Sequence, residues 1–242
     1  MRRLACVFAH PDDETFAAGG TIAKHAAAGD RIDLFCATDR DAGKTSGIPF
    51  SSRTELGARR RAELTAAAQI LGISYVSTPG HGDGTLRDVD PERLIGEIVY
   101  FLRRYRPDVV VTFGPEGAPT QHRDHRAISR AATAAYFLAA LDSEYADQLR
   151  ETASVQVSRL YYCAWDPPAS GAELTASSVA VTCRVDVAPY LSAKRDAFLA
   201  HASQRQHQAR FEELAMSPIE RFAFAAGVAQ PRAVTESLFE GL

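Results

Sequence analysis

The feature that most constrains this chain is an alternation in its first half. Short, largely apolar runs at residues 4–9, 31–37, 73–76 and 108–113 are each followed or preceded by a longer segment with helix signals. A run that is apolar on both alternating sets of positions is buried on both faces, which is the condition of a parallel sheet covered by helices. The intervening segments carry the punctuation of helices. The first, 15–28, is stopped by Gly29. The second starts at a cap, Ser52 or Thr54, and ends at Gly72. The third opens on Asp90 with Pro91 at its first position, and closes on Arg103, Arg104 and Arg106, which complement the helix dipole. The reading is an α/β fold: a Rossmann-like, largely parallel sheet with helices on both faces.

The second half is less regular. A helix is expected over 127–141, strands over 160–165 and 179–185, a loop over 166–178 marked by Pro167 and Pro168, and one further helix over 190–208. No internal repeat or low-complexity linker divides the 242 residues, so one domain, 1–242, is expected. Net charge is -3, so there is no excess of cations for a phosphate backbone and no nucleic-acid partner is expected. No segment approaches the roughly 20 apolar residues of a membrane span, and no membrane partner is expected either. Cys6, Cys36, Cys163 and Cys183 lie in apolar stretches without a Cys-x-x-Cys pairing. They read as buried, reduced thiols of a cytoplasmic protein.

In an open parallel sheet, ligands bind beyond the carboxyl ends of the strands. The loops starting at His10, Thr38, Ser77 and Gly114 should therefore share one rim. Two of them carry segments rich in imidazole and carboxylate: His10-Pro11-Asp12-Asp13-Glu14 and His122-Arg123-Asp124-His125. Either alone has an ordinary explanation, as acidic groups at a helix start or a solvated His pair. Two such segments on successive rim loops suit a mononuclear catalytic metal with three His/Asp ligands. His10 and Asp13 are spaced for such a pair, His122 or His125 supplies the third ligand, and a neighbouring carboxylate can act as a base.

These segments resemble the PIG-L (LmbE-like) family of zinc-dependent N-deacetylases. Residues 60–64, Leu71-Gly72, 83–86, 106–109 and His201-Ala202-Ser203-Gln204 resemble the family's other blocks, whereas 142–178 match none. The resemblance implies zinc held by His10, Asp13 and His125, although ferrous iron suits the same donors. It further implies Asp12 as general base and then acid, and His122 as oxyanion stabiliser with Asp124 orienting its ring. The implied substrate is a small N-acyl aminosugar or glycoconjugate, with homo-oligomers common among relatives.

Substrate contacts are read at Arg60, Glu63, Asp83 and Arg123. The alternatives there are an Arg60–Glu63 ion pair, an Asx-turn at Asp83 and a solvated Arg123. Arg123 replaces a frequent Pro, and Arg40 stands where Gly is common, so the loop 39–53 diverges at the pocket's border. His25 and His207 are expected at the surface, His81 as a loop residue and His201 as structural. Two rival functions stay open: a metal- and sugar-binding protein without turnover, and a metal-dependent phosphoesterase. The rim residues do not choose among a thiol-synthesis conjugate, an antibiotic aminosugar and a chitin-type disaccharide.

Overall fold

A computed structural model describes residues 1–43, 45–47, 49–165 and 179–242. Lys44, Ile48 and the loop expected at 166–178 lie outside the described residues. The first half follows the alternation: β1 (Arg3–Phe8), α1 (Asp13–Ala27), β2 (Arg31–Cys36), α2 (Arg53–Leu71), β3 (Tyr75–Ser77), α3 (Pro91–Tyr105) and β4 (Val109–Phe113). Ser52 caps α2 by accepting the Glu55 N–H, and Gly72 ends it at φ 75°, a left-handed position suited to glycine. Asp90 caps α3 as expected.

The second half departs from the sequence expectation in three places. The helix expected at 127–141 is α4 (Arg123–Leu138), one turn earlier, so His122 is its N-cap and the second motif lies in the first turn. The single helix expected over 190–208 is broken into α5 (Leu191–Ala200), a 3-10 turn (Ala202–His207) and α6 (Gln208–Leu214). After β5 (Arg159–Ala164) and β6 (Cys183–Asp186) comes β7 (Ile219–Gly227), which sequence reasoning did not anticipate. Its run Ile219-Glu220-Arg221-Phe222-Ala223 mixes charge with apolar residues and lacks the continuous apolar signal of the other strands.

The strands form one seven-stranded sheet in the order β3-β2-β1-β4-β5-β7-β6. The first five are parallel; β7 runs antiparallel to both β5 and β6. The chain steps outward from β1 through β2 to β3, then returns to lay β4 on the other side of β1. Right-handed crossovers therefore place α1 and α2 on one face and α3 and α4 on the other. α1, α2 and α5 pack together, as do α3 and α4. The reversal of direction between β1 and β4 opens a crevice at their carboxyl ends.

β1 and β4 are buried almost throughout and form the centre of the core, with Cys6 opposite Val111. All four cysteines are free and buried. Among the described residues no helix is long and apolar enough to cross a membrane.

Candidate functional site

β1 ends at Phe8, and the chain turns sharply through His10 and Pro11 into α1. The turn is closed by Asp13 N–H donating to the His10 carbonyl at 3.2 Å. Asp13 Oδ2 accepts the backbone N–H groups of Ala9 (3.2 Å) and His10 (2.8 Å), which locks that carboxylate under the end of the strand. Asp12 is held at φ 103°, in the left-handed region, a conformation that costs a non-glycine residue about 1–3 kcal/mol. Across the crevice, α4 begins with His122 and lays His125 flat on Phe113 of β4, with ring centroids 3.9 Å apart.

These two turns bring three donors together. His10 Nδ1 is 3.3 Å from His125 Nε2 and 3.4 Å from Asp13 Oδ2, while Asp13 Oδ1 is 3.3 Å from His125 Nε2. Ligands of a tetrahedral ion with bonds of about 2.0–2.1 Å stand roughly 3.3 Å from one another. The His10, Asp13 and His125 set therefore fits a small divalent metal ion. His122 also brings a ring nitrogen within 4.8 Å of those of His10 and His125.

The outer nitrogen of His10 is held as well. Its Nε2 lies 3.2 Å from Asp124 Oδ2 and 3.3 Å from Asp83 Oδ1. This leaves Nδ1 aimed at the donor cluster, the arrangement in which a carboxylate orients a ligating imidazole. Asp124 is fixed in turn by the N–H groups of Gly84 (2.6 Å) and Leu86 (3.2 Å). Asp124 was expected to orient the His122 ring; its carboxylate faces His10 instead, and its contact with His122 is made by the main chain. Only the Asp124 backbone N–H reaches His122, donating to Nδ1 at 3.2 Å.

The electrostatics follow from this packing. Burial opposes a charge on His10, but Asp124, Asp13 and Asp83 outweigh it and raise the ring's pKa well above 6.5. Burial pushes Asp13 up, yet His125 and His10 hold it well below the usual carboxylate range. His122 goes the other way: burial and the rings of His10 and His125 push it down to about 4. A neutral His122 whose Nδ1 accepts a hydrogen bond carries its proton on Nε2, as a donor. Burial raises Asp12, with Arg40 pulling in the opposite direction.

The surrounding cavity measures about 460 Å³, within the range of small-molecule sites. His10, Arg40, Asp83 and Pro119 line it, so the four rim loops meet as expected. Asp83 makes no Asx-turn with Gly84 and points to His10 instead. Arg123 lines the cavity, its guanidinium over Gly84.

Arg60 and Glu63 are not among its lining residues. Arg60 donates to Ser203 Oγ and to the Arg40 carbonyl; Glu63 accepts from Arg59 and from the Ser203 hydroxyl and N–H. The expected choice between sugar contact and mutual ion pair is replaced by a joint hold on Ser203 behind the loop at 40–43. His201 is structural as read, buried with Nε2 2.7 Å from Glu14 Oε1. His81 bonds Glu97 at 2.6 Å. His25 and His207 are corrected: His25 is buried against Phe239 and Asp30, and His207 lines the cavity.

Sequence reasoning also missed Arg40 as a site residue. It flagged the position as a departure from Gly, and the departure is functional in placement: the guanidinium ion-pairs with Asp12. Arg210 and Leu214 were missed because the break into α6 was not seen.

The fold and the cluster define an open α/β sheet protein with a His/Asp metal-type centre at its topological switch point. A family model described as "PIG-L: GlcNAc-PI de-N-acetylase" matches residues 5–136. The chain belongs to this family. It is 32% identical over 243 residues to a 1D-myo-inositol 2-acetamido-2-deoxy-alpha-D-glucopyranoside deacetylase of Rhodococcus jostii (strain RHA1), covering 84% of this chain and 82% of that one. Among solved structures, it is similar to the N,N'-diacetylchitobiose deacetylase of Pyrococcus horikoshii, with TM-score 0.76, 20% identity, and 93% and 84% coverage. It is also similar to GalB, the 4-carboxy-2-hydroxymuconate hydratase of Pseudomonas putida KT2440, with TM-score 0.74, 20% identity, and 96% and 99% coverage. The two structural likenesses carry the fold alone, since one fold hosts different reactions.

Proposed function

We propose that this chain removes the acetyl group from an N-acetylglucosamine-type glycoconjugate by metal-assisted amide hydrolysis. Membership of the family makes it an N-deacetylase, a hydrolase of N-acetylglucosamine-type substrates. The observation that carries the residue roles is the convergence of His10 Nδ1, His125 Nε2 and the Asp13 carboxylate within 3.3–3.4 Å, beside the buried carboxylate of Asp12. His10, Asp13 and His125 would hold the ion, and zinc suits this three-ligand set. When bound, such an ion supplies a Lewis acid for the amide carbonyl and acidifies water.

Asp12 takes a proton from water as its oxygen bonds to the carbonyl carbon. His122 donates its Nε2–H to the developing oxyanion. Asp12 then returns the proton to the nitrogen as the C–N bond breaks, leaving amine and acetic acid, which gives up its remaining proton to solvent to become acetate. Asp124 and Asp83 keep the His10 ring aimed. The four buried thiols support a reducing compartment, the cytoplasm, and the unbroken sheet supports one domain over the whole chain.

The test is a pair of variants assayed on N-acetylglucosamine compounds with metal analysis in parallel. Asp12→Asn is expected to keep its metal and lose about 10²–10⁴-fold in rate, the usual effect of removing a general base. His125→Ala is expected to lose metal and activity together. Wild-type rates in Asp12→Asn would overturn the assignment.

A further inference from the structure

His201 and Gln204 are fully buried, and neither is among the residues that line the cavity. Both nonetheless reach the turn that carries Asp12. Gln204 Nε2 donates to the Pro11 carbonyl at 2.8 Å. His201 Nε2 lies 2.7 Å from Glu14 Oε1, and Glu14 Oε2 accepts the Asp12 N–H at 3.0 Å. The Pro11 C=O and the Asp12 N–H belong to one peptide group. Both polar ends of that plane are therefore held by side chains, one of them directly and one through Glu14, from a segment about 190 positions away.

The orientation of this plane decides the type of turn. Residues His10 to Asp13 form a β-turn closed by the Asp13 N–H on the His10 carbonyl, with φ 103° and ψ -23° at Asp12. That is the type II form, whose third residue is normally glycine or asparagine. The type I form keeps the closing bond, also favours Pro as second residue, and needs no positive φ. The two forms differ by a flip of the plane between the second and third residues. With Asp in third place, local preference favours type I by the cost of left-handed backbone, roughly five- to a hundredfold in population. The observed turn is therefore selected by contacts from outside it. A flip would carry the Pro11 C=O away from Gln204 and the Asp12 N–H away from Glu14.

We propose that Gln204 and His201 are positioning residues for the general base: they hold the Pro11–Asp12 peptide in its type II orientation and so set where Asp12 carries its carboxylate. The proposal rests on the deacetylase reading above and adds to it two residues that touch neither substrate nor metal. A flip re-aims the Asp12 Cα–Cβ bond, and displacing a reacting group by about 1 Å costs on the order of a hundredfold in rate. His10 and Asp13 stand at the two ends of the turn and keep their places in either form. The effect of losing the hold thus falls on Asp12 and spares the converging donors.

Three variants test this. Gln204→Met keeps the length of the side chain and removes the donor; His201→Leu removes the hold on Glu14, and His201→Gln keeps a donor toward it. Each is assayed on N-acetylglucosamine compounds with metal content measured in parallel, and the crystal structure of Gln204→Met is determined. Gln204→Met and His201→Leu are expected to keep wild-type metal content and KM, while kcat per metal-loaded chain falls roughly five- to a hundredfold. His201→Gln should stay close to the wild-type rate. In the crystal structure φ of Asp12 should turn negative with the Asp13–His10 bond intact. A general loss of folded protein would instead lower metal content in step with rate and leave φ positive. Wild-type kcat in Gln204→Met, metal lost in step with rate, or a positive φ at Asp12 in that variant would overturn the proposal. If His201→Leu does not fold, Gln204→Met decides alone. No acetate release from the wild type would count against the deacetylase reading, and φ of Asp12 in Gln204→Met would still uphold or overturn the hold on the turn.

Discussion

Asp12 is where the chemistry of the site and the cost of the backbone meet. Its φ is left-handed, its side chain makes no capping hydrogen bond to the helix it precedes, and its N–H donates to Glu14 Oε2 at 3.0 Å. Arg40, also at positive φ, reaches across from the next rim loop to pair with it. The Arg40 carbonyl is in turn gripped by the buried Arg60. A hydrogen bond to a charged group contributes about 1.5–3 kcal/mol, so Arg40→Gln should lower kcat/KM by about ten- to a hundredfold. Metal content should be unchanged, since Arg40 touches none of the three converging donors. Equal rates for the variant and the wild type would show that Arg40 only fills space. At this scale the two His/Asp motifs were legible from residue type and spacing. The partners of Asp12 and Asp124 were not, because each comes from a loop whose path depends on the whole sheet.

At the scale of elements, α1 is the informative case. It reads in sequence as one helix, yet the backbone breaks at Ala18, with φ -149°. A broken helix exposes N–H groups that need partners. Those of Gly20 and Thr21 donate to the two oxygens of Glu220, at 2.8 and 2.7 Å, and Lys194 of α5 donates to Glu220 at 2.6 Å. The unanticipated strand β7 thus carries the carboxylate that seats the helix presenting Asp13. Removing one partner of a buried ion pair costs about 3–5 kcal/mol, and Glu220→Ala should lose that much stability in urea denaturation.

The far end of α1 is tied by His25, whose Nδ1 donates to Asp30 at 2.9 Å and whose Nε2 is buried without a partner. Burial lowers its pKa below 6.5, with Asp30 opposing. Below that ordinary value the unfolded chain takes up a proton that the folded chain resists. Stability from His25 is therefore full above about pH 6.5 and is lost as pH falls toward the lower folded value. Denaturation between those pH values should show a shallower pH slope in His25→Gln than in the wild type.

For the whole molecule, the converging donors come from two crossovers on either side of the switch point, so an ion held there ties both halves of the sheet's centre together. Anything that binds only the folded state stabilises it by mass action. At a thousandfold excess of metal over its Kd this amounts to about 4 kcal/mol, or roughly 10 °C in Tm for a chain of this size. Chelator-treated protein should melt that much lower than metal-loaded protein, and His125→Ala should show no difference between the two. The sequence by itself determined the alternating frame, the rim and the motif residues on it, because continuous apolar runs, caps and turn residues act over a few positions. Tertiary structure alone decided the pairing of Arg40 with Asp12, the turning of Asp124 to His10 and the insertion of β7. These join residues up to 200 positions apart, as Gly20 and Glu220 are. Their geometry is set by how crossovers and edge strands pack, which no local periodicity encodes.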